Sequence, residues 1–93
     1  DLAEAVFFLM NIYNDKKIIN VGSGKDITIL ELANLISKIV GFKGEIIFDS
    51  SKPDGTPRKL LDTSKISDLG WFPKYNLKTG LKNTISDFIN NYI

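Results

Sequence analysis

The sequence predicts an α/β fold, a single small domain over residues 1–93 with helices packed on a few short strands. Three observations lead there. Two short runs, 18–21 and 44–49, are built on β-branched and aromatic residues and read as strands. The segments around them carry apolar residues at three- and four-residue spacing, the mark of a helix with one face buried. A chain of 93 residues suffices for one core and not for two.

Residues 1–14 form the first helical pattern. Leu2, Val6, Leu9 and Tyr13 make one stripe, with Ala3 and Met10 beside it. Asp1 and Glu4 are placed to complement the positive end of the helix dipole. Ala5, Phe8 and Ile12 make a second stripe, with Phe7 in the gap. A helix apolar nearly all round is normally covered on more than one side. A further domain packed here accounts for that, and so does a self-association surface or an unusually apolar helix in a small core. The chain begins inside this pattern, with no Met and no signal peptide, and is read as a piece from the C-terminal part of something longer.

Residues 14–17 are a polar turn, and the strand 18–21 follows. Gly22-Ser23-Gly24 is a tight strand-to-helix connection, with phosphate binding as the alternative reading. It is not a complete dinucleotide fingerprint, because Ile27 stands where the third glycine belongs. Thr28 and Glu31 have capping-box spacing, so a helix starts here and runs to about Val40. Its buried stripe is Ile29, Leu32, Ala33, Ile36, Ile39 and Val40, and Gly41 is the stop. Ile46, Ile47 and Phe48 form the body of the second strand. Residues 59–61 are a brief extended segment. Asp62 or Thr63 then caps a short helix through Leu69, which Gly70 ends. Trp71-Phe72-Pro73 is an aromatic corner, with Trp71 as core under the loop or, alternatively, stacked on a base. Residues 73–76 are irregular. The last helix spans 77–92, with Leu77, Leu81, Ile85, Phe88 and Tyr92 on one stripe and Gly80 lowering its propensity.

Composition excludes several classes of function. A net charge of +1 gives no electrostatic footprint for nucleic acid or an acidic membrane. No apolar run is long enough to cross a bilayer. With no Cys and no His, there is no disulfide framework, no thiol nucleophile and no imidazole base or metal ligand. Tyr13 and Lys17 have the Tyr-x-x-x-Lys spacing of short-chain dehydrogenases. That pair acts only from one face of a helix, where the Lys lowers the phenol pKa. Asn14-Asp15 breaks the helix between them, so the spacing is coincidental.

The chemically informative stretch is 51–65, SKPDGTPRKLLDTSK. Pro53, Gly55 and Pro57 punctuate its backbone at every second residue. Each Pro fixes its own φ and pushes the preceding residue towards extended conformations, whereas Gly admits a positive φ or the close approach of another molecule. Lys52, Arg58 and Lys59 bring positive charge, and Asp54 a single carboxylate. Cations neutralise phosphate oxygens and a carboxylate accepts from adjacent hydroxyls, a combination that suits a diphosphate joined to a sugar. A solvated loop with scattered charges has the same composition.

Taken in order, Asn20-Val21-Gly22-Ser23-Gly24, residues 29–35, the run Lys52-Pro53-Asp54-Gly55-Thr56-Pro57-Arg58-Lys59-Leu60-Leu61-Asp62 and Leu69-Gly70-Trp71 resemble the C-terminal region of the GDP-L-fucose synthases. The first and last of these elements are shared widely among extended short-chain dehydrogenases acting on nucleotide sugars. The long central run is specific to the fucose synthase branch. The resemblance implies a small α/β substrate-binding domain without its Rossmann domain. That missing half would bind NADP(H), carry the Ser, Tyr and Lys of the reduction and the Cys and His of the epimerisation, and pack on the helix 1–14. The same resemblance implies a cytoplasmic, homodimeric enzyme when complete. It implies substrate contacts at Asp54, on ribose hydroxyls, and at Lys59, near the GDP moiety. Lys52 sits where related enzymes hold the diphosphate with Arg. Arg58 serves beside Lys59 or pairs with an acid. No catalytic, cofactor-binding or metal-binding residue is expected on this chain. Two other readings remain: another nucleotide-sugar epimerase or dehydratase, and a free-standing protein-interaction domain using the apolar face of residues 1–14.

Overall fold

A computed structural model describes all residues, 1–93. It contains four helices: α1 (Leu2–Ile12), α2 (Ile29–Val40), α3 (Ser64–Asp68) and α4 (Leu77–Tyr92). The chain divides into two compact units, one of Asp1–Asp26 and Lys59–Tyr75, the other of Ile27–Arg58 and Asn76–Ile93.

The first unit is built on α1 and α3. Its core is Ala5, Ile66 and Trp71, with Phe8, Leu9, Ile19 and Val21 packed against it. Of the two stripes on α1, the covered face draws on both, through Ala5, Phe8 and Leu9. Leu2, Val6, Phe7 and Met10 stay exposed, Met10 at 79%. Trp71 is core, as the aromatic corner suggests, and its indole Nε1 donates to Glu4 Oε1 at 3.2 Å. Glu4 Oε2 accepts from Lys74 Nζ at 2.6 Å. Asp1 does not cap α1 with its side chain; its two carboxylate oxygens accept from the backbone N–H groups of Lys74 and Tyr75, at 3.1 and 3.0 Å. The N-terminal turn of α1 is thereby tied to the segment that follows Trp71. Asp62 Oδ1 accepts from the Ser64 N–H at 2.9 Å and so covers an orphan donor of α3, whereas Thr63 makes no side-chain cap.

The second unit is built on α2 and α4, which pack on each other. The capping box of α2 is complete: Glu31 N–H donates to Thr28 Oγ1 at 3.1 Å and Thr28 N–H to Glu31 Oε2 at 2.9 Å. Gly41 closes α2 with φ +72°, a conformation only glycine adopts cheaply. Asn76, inside the stretch read as irregular, caps α4 by accepting from Thr79 N–H at 2.8 Å.

The expected strands are absent. Residues 18–21, 44–49 and 59–61 make no ladder hydrogen bonds, and the structure is helical without a sheet. The physical reason is that a strand exists only through a neighbour about 4.8 Å away that exchanges backbone hydrogen bonds with it. In the first unit, segment 18–21 meets the region after Lys59 through side chains instead: Asn20 Nδ2 donates to the Asp62 carbonyl at 3.2 Å. Alternation survives without the ladder. Ile19 and Val21 pack on the core while the preceding Ile18 is 89% exposed. In the second unit, Ile47 and Phe48 are likewise exposed, at 79% and 65%. The α/β expectation is therefore not met by the chain as it stands.

Candidate functional site

The Gly-Ser-Gly turn is shaped by the unit it sits in. Gly24 has φ +74°, and a Cβ there would stand 2.8 Å from Thr63 Oγ1. Gly22 is also close, with Thr63 Cγ2 3.4 Å from its would-be Cβ. Ser23 Oγ donates to the Lys25 carbonyl at 3.2 Å and accepts from Lys25 N–H at 3.3 Å, which closes the turn. The left-handed φ and the close Thr63 hydroxyl thus account for Gly24, whereas a Cβ at Gly22 would make only ordinary contacts. The turn and residues 59–61 line an open pocket of about 220 Å³, with Lys25 and Lys59 on its wall. Small-molecule sites run to roughly 300–1,000 Å³, so this pocket lies below that range. At the start of α2 the Glu31 N–H is engaged by Thr28 Oγ1.

The loop that carries the other candidates lies in the second unit. Lys52 and Asp54 are exposed and their side chains make no hydrogen bond or ion pair, while Arg58 is exposed in the same unit. Lys59 belongs to the first unit. The four residues named from the sequence therefore divide three and one between the two units. Gly55 has no positive φ and nothing within 4 Å of its would-be Cβ, so of the two uses of a glycine only close approach by another molecule is open to it.

Sequence reasoning missed the residue that starts this loop. Asp49, read as the end of a strand, accepts at Oδ1 from Ser51 N–H at 3.0 Å and from Ser51 Oγ at 2.6 Å. Its backbone carbonyl accepts from Lys52 N–H at 3.3 Å. Ser51, chiefly through its hydroxyl, holds the Asp49 carboxyl below the ordinary 3.8. The signal was available as Asp-x-Ser ahead of a Lys-Pro, the pattern of an Asx turn.

The Tyr13–Lys17 pair does not form a proton relay. Tyr13 Oη donates to the Lys17 carbonyl at 2.8 Å, and the ammonium over its ring, 5.4 Å from the centroid, is that of Lys65. No group of three or more His, Cys, Asp or Glu is placed to hold a metal. No helix is long and apolar enough to cross a membrane.

No protein-family model matches the chain. Among curated proteins, it is 55% identical over 93 residues to a probable GDP-L-fucose synthase 1 of Oryza sativa subsp. japonica, covering 100% of this chain and 28% of that protein. Among solved structures, a GDP-6-OMe-4-keto-L-xylo-heptose reductase from C. jejuni matches with a TM-score of 0.85 and 38% identity, over 97% of this chain and 29% of the other. A GDP-mannoheptose C4 reductase from Campylobacter jejuni with NADP bound matches with a TM-score of 0.81 and 37% identity, over 96% of this chain and 29% of that one. The chain spans less than a third of the length of these relatives. It is similar along its whole length to the C-terminal part of GDP-L-fucose synthases, and its structural neighbours are reductases of GDP-linked heptoses.

Proposed function

We propose that this chain is the substrate-binding part of a GDP-L-fucose synthase, an enzyme that converts GDP-4-keto-6-deoxy-D-mannose to GDP-L-fucose by epimerisation and NADPH-dependent reduction. The observation that carries this reading is the 55% identity across the full 93 residues, loop 52–62 included. The loop's chemistry agrees. Asp54 accepts from the ribose hydroxyls, Lys52 faces the diphosphate, Lys59 brings positive charge near the GDP moiety, and Arg58 serves beside it or pairs with an acid. Their contribution to rate is orientation: they hold the sugar where a cofactor bound elsewhere can reach it. In this reading NADP(H), which a matched reductase structure holds, is bound by the part of the enzyme that precedes Asp1. That part supplies the catalytic side chains, covers Leu2, Val6, Phe7 and Met10 of α1, and gives segments 18–21 and 44–49 the strand partners they lack. Residues 1–93 then work as a single substrate-binding domain in a homodimeric cytoplasmic enzyme.

The test uses the full-length protein, supplied with NADPH and GDP-4-keto-6-deoxy-D-mannose. Loss of absorbance at the NADPH band with appearance of GDP-L-fucose is expected. Asp54→Ala should raise KM about tenfold and leave the folded state intact, because it removes charge-assisted hydrogen bonds from an exposed loop. Unchanged KM, or a dTDP- or UDP-sugar used equally well, sinks the assignment. One second reading has support: the matched structures act on GDP-heptoses, so the nucleotide is GDP but the sugar differs. Turnover of a GDP-heptose in preference to the 6-deoxy sugar would establish it.

A further inference from the structure

Residues 53–57 make no hydrogen bond of any kind, backbone or side chain. A loop without internal bonds takes its position from its ends. At its N-terminal end the anchor is the turn on Asp49, where one residue accepts three hydrogen bonds: two at Oδ1 from Ser51 and one at its carbonyl from Lys52. Pro53 follows at once, fixing its own φ and keeping Lys52 out of the helical region. The direction in which Lys52 and Asp54 leave the body of the second unit is thus set within five residues. Nothing else about Asp49 calls for this bonding. It caps no helix, is exposed and joins no ion pair.

We infer that Asp49 is a positioning residue for the nucleotide: its turn with Ser51 fixes how the loop leaves the second unit, so that Lys52 and Asp54 meet a GDP moiety at a smaller ordering cost. The inference rests on the proposed function, since it needs that loop to bind GDP. Ordering a free loop at the moment of binding costs affinity, and a pre-formed turn lowers that cost. The effect therefore appears in affinity and reaches the ligand only through residues 52 and 54.

The experiment is calorimetric titration of the full-length protein with GDP, across a small set of variants, with thermal melting as a folding control. Asp49→Ala should weaken GDP about fivefold to tenfold. Asp49→Asn keeps the Oδ1 acceptor and should stay within about twofold of the wild type. Ser51→Ala removes the hydroxyl and leaves the N–H bond, and should fall between them. That variant keeps the inference testable if Asp49→Ala fails to fold. Rescue by Asn separates positioning from charge, because a direct electrostatic role would lose affinity in both Asp49 variants. Wild-type affinity in Asp49→Ala and Ser51→Ala, with weakened binding in Asp54→Ala, overturns the positioning role alone. Wild-type affinity in Asp54→Ala and Lys52→Ala overturns the nucleotide site, and this inference with it.

Discussion

Replacing Ile66 by alanine tests the first unit's core directly. Ile66 is 1% exposed and one of only three buried residues, beside Ala5 and Trp71. The substitution removes three buried carbons at about 0.8 kcal/mol each and leaves a cavity that adds to the loss. The sum is about 3 kcal/mol, within the roughly 2–5 kcal/mol usual for such a truncation. Trp71 is the chain's sole Trp and sits in the same cluster, so its fluorescence reports on this unit. With a urea dependence of about 1–1.5 kcal/mol per molar, the midpoint should drop by about 2–3 M. Ile66→Val should move it about a third as far. Ile47→Ala, at a position 79% exposed, should move it very little. A shift below about 0.5 M for Ile66→Ala, or one no larger than that of Ile47→Ala, would refute the assignment of the core.

Two further predictions concern the same unit. Glu4 is held below its ordinary 4.5 by the hydrogen bond and charge of Lys74, with a smaller contribution from Trp71 Nε1. A carboxyl lowered on folding stabilises fully above 4.5 and loses that stabilisation as pH falls through its folded-state value. Lys74, raised above 10.5 chiefly by the same bond, gives the opposite limb, full below that pH and lost as pH rises through the folded value. Glu4→Gln should accordingly flatten the acid limb of a plot of melting temperature against pH, and added salt should mimic part of the change. An unaltered acid limb would remove the Glu4–Lys74–Trp71 group from the account. For the glycines, Gly24→Ala should cost about 1–2 kcal/mol by thermal melting, from its left-handed φ and the clash with Thr63. Gly55→Ala should be neutral within about 0.5 kcal/mol, since it has neither constraint; equal losses at both would contradict the geometry.

Much of the helical framework was legible because its signals are local. Thr28 and Glu31, Gly41 and the stripe on α2 lie within a turn or two of what they control. Trp71 was legible as core from its place after a glycine stop. The covered face of α1 was not legible, since Ala5, Phe8 and Leu9 were chosen over Val6 and Met10 by contacts with Ile66 and Trp71, some sixty residues away. The strand runs were read correctly as patterns and wrongly as elements, because a ladder is a property of two segments and composition describes one. In the site, charge and punctuation pointed to Lys52, Asp54, Arg58 and Lys59. Asp49 was passed over because a residue after Ile-Ile-Phe reads as a strand end, while its bonds run forward to Ser51 and Lys52.

The segment around Glu45, Ile46, Ile47 and Phe48 bears on how this chain can be handled. It offers open backbone donors and acceptors beside three apolar side chains with a single charge among them. Such a stretch is a template onto which an identical stretch from another molecule can lay itself, with no natural limit to the number of copies added. Self-association of the isolated polypeptide therefore has one ready starting point at these four residues. A lysine at position 47, whose side chain faces solvent, is the change that would keep a concentrated preparation clear while leaving α2, α4 and the loop beyond Asp49 untouched.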